Sequence, residues 1–248
     1  MISIIEELSF NAWPALQTLH YDGWLLRFAD GYTRRANSVN PLYASTLPIS
    51  EKLVYCEEIY RRQGSQVVFK IAEATQPNNL DAALQSEGYV LEAPTSVQLL
   101  DLREYDTDPL AGLTTHLTDE WLNAYFALNE RNERYRPVMK RMLDQIIPAT
   151  CFLTLQADNQ TIAVGLGVLE RGYLGLYDIV TAASHRRTGV GTQLMQQLLA
   201  WGKANGAQQA YLQVMQENIP AQHLYAKLGF QESYRYWYRV KASRTSGS

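Results

Sequence analysis

The chain has 248 residues and a formal net charge of −3 at neutral pH, from 22 Lys and Arg against 25 Asp and Glu. Hydrophobic residues make up 46% and charged residues 19%, the balance of a folded globular chain long enough for two domains, which excludes a disordered or fibrous protein. The lack of an overall positive field argues against a nucleic-acid partner, and no apolar run reaches the roughly 18 residues of a membrane span.

The start, Met1-Ile2-Ser3-Ile4-Ile5-Glu6-Glu7, lacks the basic opening and small-residue cleavage site of a secretory leader, so a cytoplasmic location is expected. Strand-like and helical runs then alternate: strands at 24–29, 66–72 and 96–100, helices at 50–63 and 79–86. This rhythm predicts a mixed α/β or α+β domain over residues 1–102. Residues 103–112 are polar and turn-rich and read as a linker to a second domain at 113–241. There, helices are predicted at 119–129 and 137–145. Strands follow at 151–156, 161–169 and 174–182, joined by hairpin turns at Asp158-Asn159 and Arg171-Gly172. A helix at 191–205 closed by Gly206, a strand at 210–214, a helix at 220–228 closed by Gly229 and a strand at 233–240 complete the order β-β-β-α-β-α-β. The tail 242–248 has nothing to bury and is expected to be disordered.

The halves share a faint ordered likeness. A helix ending at Gly64 precedes a strand at 67–72 as one ending at Gly206 precedes the strand at 210–214. Residues 80–87 lead to Gly88-Tyr89 as 221–228 lead to Gly229-Phe230, which sets Leu84 where Tyr225 stands and Pro77 where Asn218 stands. A tandem duplication is the reading, beside the plainer one that helix-strand units commonly look alike.

Two constellations carry chemistry. The stretch His185-Arg186-Arg187-Thr188-Gly189-Val190-Gly191 follows a strand and runs into a helix. Its glycines let the backbone approach an anion, the helix start supplies free amides, and Arg186 and Arg187 add charge-assisted donors. A flexible turn into a helix would look the same. Nucleotide P-loops and dinucleotide folds fit poorly: no Lys-Ser or Lys-Thr pair follows the glycines, and Leu194 replaces the third glycine of the dinucleotide pattern. In the second constellation, residues 218–230, Asn218 is a natural N-cap with Pro220 in the first turn. Tyr225 there reads either as a core aromatic beside Ala221 and Leu228 or as a proton donor in a cleft.

The pattern Arg186-x-x-Gly189-x-Gly191, then Asn218-x-x-Ala221-x-x-Leu224-Tyr225-x-Lys227-Leu228-Gly229-Phe230, resembles the GCN5-related N-acetyltransferases over residues 110–241. The resemblance implies that Arg186, Arg187, Thr188, Gly189, Val190, Gly191 and Thr192 hold the pyrophosphate of coenzyme A. It further implies that the edge of Ile179, Val180 and Thr181 pairs with the pantetheine, and that Asn218 and Tyr225 lie near the thioester. The fold so implied is a tandem of domains, each a central, mostly antiparallel twisted sheet flanked by helices. The first copy is degenerate: residues 44–49 replace the arginine and glycine loop, and Leu84 cannot donate a proton.

The expected function is transfer of the acetyl group of acetyl-CoA directly to a primary amine of a small-molecule or amino-acid-like acceptor, with no metal. Tyr225 is the general acid, since a phenol of pKa about 10 can protonate a thiolate whose conjugate acid sits near 8.5. Asp178 is the first choice of base; Glu130 and Glu133, acting through water, are alternatives, each of which also reads as a plain solvated acid. His185 and His223 rank below them. Cys151 has no histidine nearby in sequence and is not proposed as a nucleophile. A non-catalytic acyl-CoA-binding sensor and a protein or peptide N-acetyltransferase are the rival readings; a monomer or homodimer suits all three.

Overall fold

The computed structural model describes residues 1–105 and 113–241. The tail reading of 242–248, and the linker reading over 106–112, lie outside the described residues. The chain divides into two compact units. The first holds Met1–Glu6, Ala15–Ser96 and the stretch from Tyr234; the second holds Glu7–Pro14 and Val97–Ser233.

In chain order the elements begin with α1 (Ile2–Ala12), β1 (Gln17–Tyr21), β2 (Trp24–Phe28), β3 (Val39–Pro41), α2 (Ile49–Arg62), β4 (Val68–Ala72), α3 (Leu80–Ser86) and β5 (Tyr89–Asp101). They continue with β6 (Leu113–Thr114), α4 (Asp119–Asn129), α5 (Arg136–Leu143), β7 (Ala149–Ala157), β8 (Gln160–Glu170) and β9 (Tyr173–Thr181). The last four are α6 (Val190–Ala204), β10 (Gln209–Met215), α7 (Ile219–Lys227) and β11 (Gln231–Lys241). The architecture is the mixed α/β, mostly antiparallel one the sequence predicts.

In the first unit the strand order is β1-β2-β3-β4-β11. Alternation along β2, β3 and β4 turns Trp24, Leu26, Val39, Phe69 and Ile71 to one face, where they pack with Leu53, Cys56 and Tyr60 of α2 and Leu80 and Leu84 of α3. The other face is polar though buried: Lys70 meets Glu6 of α1 at 2.5 Å and lies over the Tyr236 ring, and Tyr234 donates to the same carboxylate at 2.7 Å. β11 sets the unit's boundary. Tyr236–Val240 pair with Val68–Ala72 of β4, so β11 from Tyr234 on groups with the first unit, while its opening residues 231–233 group with the second.

In the second unit the order is β5-β10-β9-β8-β7-β6. β7, β8 and β9 form an antiparallel meander whose two-residue turns, Asp158-Asn159 and Arg171-Gly172, all have positive φ, as hairpin turns require. One face carries α6, whose Leu194, Leu198 and Trp201 pack on Leu153, Ala163, Leu174 and Leu212. Four of these elements have no counterpart in the sequence reading: the strands β1, β3 and β6, and the helix α1, where Ile5, Leu8 and Ala12 recur at helical spacing on a buried stripe.

Candidate active site

Three features of the second unit meet at one end of β9. The first is a break in the ladder. Between β8 and β9 the register passes from Val164↔Val180 to Leu166↔Tyr177, so Asp178 and Ile179 together oppose Gly165. The extra residue takes a left-handed conformation at Asp178 (φ 50°), which Asp tolerates better than most residues. Opposite the bulge, the indole of the fully buried Trp121 donates to the carbonyls of Gly165 and its register partner Leu153, at 3.2 Å each. A backbone acceptor beside the disrupted ladder is thereby satisfied.

The second feature is a fork. β9 and β10 run parallel and pair only over Tyr173–Leu176 and Gln209–Leu212. Beyond Leu176 and Leu212 both strands continue, β9 to Thr181 and β10 to Met215. On its other side β9 stays paired through Val180↔Val164 and Thr181↔Ala163. The edge of Ile179, Val180 and Thr181 that faces the fork therefore offers main-chain groups to an extended ligand.

The third feature is an open helix start. After a 3-10 turn at Ala183–His185, the Thr188 hydroxyl donates to the carbonyl of His185 at 2.7 Å and Gly189 (φ 94°) stands at the N-cap of α6 with no side-chain cap. The positive φ requires glycine at 189. At Gly191 the reason for glycine is different: an added Cβ would meet only Leu224 at 3.4 Å and Thr181 at 3.5 Å, ordinary contacts within the protein. A Cβ at 189, by contrast, would meet nothing within 4 Å, so the loop is open at Gly189. Arg186 and Arg187 are exposed on this loop, Arg187 at φ 65°, and Arg186 donates to the carbonyl of Thr181 at 3.4 Å. The contacts of Gly191 also bring the end of β9, the start of α6 and Leu224 of α7 to one place.

The other predicted site residues fall as follows. Asn218 is exposed and accepts the amide of Ala221 at 3.3 Å as the N-cap of α7. The Tyr225 ring is buried, stacked edge-on against Phe230, and joins the core that holds Leu194 and Val214. Asp178 is half-buried on the bulge. Val190 and Thr192 form the first turn of α6. Glu133 is held by Arg136 at 2.6 and 2.7 Å, which keeps its carboxyl below the usual range and weakens it as a base; Glu130 is exposed at the left-handed end of α4. His223 is exposed on α7, and His185 meets the Ser184 hydroxyl. Cys151 is fully buried, and burial pushes its thiol up to about 12, which rules it out as a ready nucleophile. Among the described residues no three His, Cys, Asp or Glu side chains gather as a metal site.

A family model described as probable histone acetyltransferase Rv0428c C-terminal matches residues 1–239. The uncharacterized N-acetyltransferase YobR of Bacillus subtilis (strain 168) is 33% identical over 247 residues, spanning 96% of this chain and 97% of its own. Among solved structures, a GCN5-related N-acetyltransferase from Kribbella flavida matches with a TM-score of 0.69 at 15% identity, over 97% of this chain and 95% of the other. A tandem GNAT protein from the clavulanic acid biosynthesis pathway matches with a TM-score of 0.61 at 14% identity, over 96% and 88%. At such identities the two structures speak for the fold.

Proposed function

Since the chain belongs to the GCN5-related N-acetyltransferase superfamily and is an acetyl-CoA-dependent acetyltransferase, we propose that its second unit moves the acetyl group directly to a primary amine of a small or amino-acid-like acceptor. The observation that carries this reading is the juxtaposition of fork, bulge and open helix start around Gly191.

Acetyl-CoA supplies the activated acetyl thioester. Toward it, the amides at the start of α6, with Arg186 and Arg187, would hold the pyrophosphate, where a helix N-terminus favours negative charge. Ile179, Val180 and Thr181 would take the pantetheine along the fork. A main-chain amide beside the bulge, at Ile179 or Val180, would polarise the carbonyl, a group already in place and needing no reorganisation. Asp178 on the same bulge takes the proton of the attacking amine, and Tyr225 gives one to the departing sulfur. Asn218 acts by capping α7 and so fixing the helix that bears Tyr225. Transfer is direct because the only cysteine in this unit is buried and protonated.

One observation favours a second acceptor class: the matching family is described by a probable histone acetyltransferase, which points to a lysine side chain of a protein. The test is thiol release from acetyl-CoA against amines, amino acids and basic peptides, with Tyr225→Phe as control. Release that depends on one small acceptor and falls about a hundredfold in the variant supports the proposal. Release only with basic peptides moves the acceptor to the second class, and undiminished turnover by Tyr225→Phe removes the tyrosine from its role.

A further inference from the structure

The fork is bridged by a chain of hydrogen bonds that no step above uses. Gly175 on β9 stands opposite Tyr211 on β10, one pair before the strands part. Tyr177, two residues further along β9 and on the same face, turns its ring back over Gly175. The two phenol rings meet nearly at right angles (87°), with their hydroxyls 2.9 Å apart. The meeting depends on glycine: a Cβ at 175 would lie 2.6 Å from the Tyr211 hydroxyl and 2.7 Å from the Tyr177 ring.

The chain then leaves the sheet. Ser9 of α1 hydrogen-bonds the Tyr211 hydroxyl, and its own hydroxyl accepts from Gln213 at 2.8 Å. Gln213 is the first residue of β10 past the fork. Trp13, just after α1, stacks on Tyr177 with centroids 6.0 Å apart. Asn11 and Glu7 anchor the same stretch to the β8–β9 turn through Glu170 and Arg171. The N-terminal stretch Glu7–Pro14 thus grips β9 at the residue before the bulge and β10 at the residue after the last pair. Both phenols are buried, so the bridge is shielded from water and geometrically fixed.

We propose that the Tyr177–Tyr211 bridge, held by Ser9 and Trp13, is a positioning device that sets the opening of the fork and thereby the placement of the bulge groups against the thioester carbonyl. This rests on the reading of the fork as the acetyl-CoA site. Tyr177 touches no reacting atom; it acts through Asp178 and the amides that follow it. A positioning role separates binding from chemistry. The pyrophosphate cradle at the start of α6 lies outside the bridge, so affinity for the nucleotide end survives its loss while the alignment of the carbonyl does not.

The test uses full-length protein and acetyl-CoA labelled with carbon-13 at the carbonyl, and needs no acceptor. Infrared difference spectra report the bound carbonyl band, and calorimetry reports affinity, for wild type, Tyr177→Phe, Tyr211→Phe and the double variant. Trp13→Ala and Gly175→Ala form a second route to the same bridge. The expected result is a band displaced to low frequency in wild type that moves back toward the free position in each single variant. The double variant should be no further displaced than the singles, because the two hydroxyls act as one unit. Affinity should change by less than about threefold, while transfer to any acceptor found falls about tenfold. An unmoved band in all variants, with wild type binding normally, overturns the bridge and leaves the acetyl-CoA reading intact. Wild type that binds no acetyl-CoA overturns both.

Discussion

In the first unit the chain entering α2 meets a carboxylate of its own. Asp22, in the turn between β1 and β2, accepts the amides of Thr46 and Leu47 at 3.0 and 2.9 Å, the Thr46 hydroxyl at 2.8 Å and the ammonium of Lys52 at 3.0 Å. In the second unit the chain entering α6 passes Gly189 with no side-chain cap and leaves Arg186 and Arg187 exposed. Neither helix start has a side-chain cap; the difference lies in the loops before them, since the one before α2 wraps Asp22 with Thr46 and Leu47, just ahead of the Pro48 N-cap. The loop before α2 is organised by a carboxylate of the protein; the loop before α6 is the one we propose to hold a ligand. Leu84 and Tyr225 repeat the contrast, since Leu84 fills the core of the first unit and brings no proton.

The largest effect that sharpens this contrast is at Tyr225. Replacement by Phe keeps the ring packed on Phe230 and should lower kcat about a hundredfold with little change in melting temperature. Leu84→Ala should do the reverse: it empties a fully buried core position and costs about 2–5 kcal/mol of stability, while the folded fraction keeps its kcat. Denaturant unfolding read beside single-turnover rates separates the two.

Next comes Gly191→Val. The bulk would crowd the place where Thr181, Leu224 and the first turn of α6 meet, so the dissociation constant for coenzyme A in calorimetry should rise at least about tenfold. A variant that binds as tightly as wild type would show that this helix start is not the cradle.

At Asp22 the effect is on stability and follows pH. The amide of Leu47, with further help from Thr46 and Lys52 and against the opposing effect of burial, holds its carboxyl well below the usual range. The stabilisation is therefore complete above the unfolded carboxylate value of about 3.9 and is lost as pH falls through the lower folded value. Asp22→Asn should melt earlier than wild type at pH 7, and the gap should narrow below about pH 4. Adding Lys52→Met, which removes the fully buried ammonium left without its countercharge, should recover part of the loss. A gap that widened in acid would contradict the assignment.

The smallest effect is at the cysteines. Burial pushes both thiols, Cys56 and Cys151, up to about 12, so alkylation of native protein at pH 8 should be slow and should leave acetyl transfer unchanged. Rapid loss of activity on alkylation would reopen a thiol mechanism.

Much of this was legible in the sequence where local chemistry decides structure. Glycine before a helix, Asn218 at a cap and the Asp158-Asn159 turn carry their conformations in their own side chains, and each stands where its residues predict. What escaped depends on distant partners. The positive φ of Asp178 arises from a register slip against Gly165, and no property of a single strand announces it. The pairing of β11 with β4 brings residues about 170 positions apart together, and the loop before α2 is held by Asp22 from another turn. Helix α1 is legible in the spacing of Ile5, Leu8 and Ala12.

The most direct test of the contrast between the two helix starts is the stoichiometry of coenzyme A binding, by calorimetry on the full chain with Gly191→Val beside wild type. One molecule per chain, with affinity reduced by the substitution, is the predicted result. Two molecules per chain, or one whose affinity ignores Gly191, would contradict it.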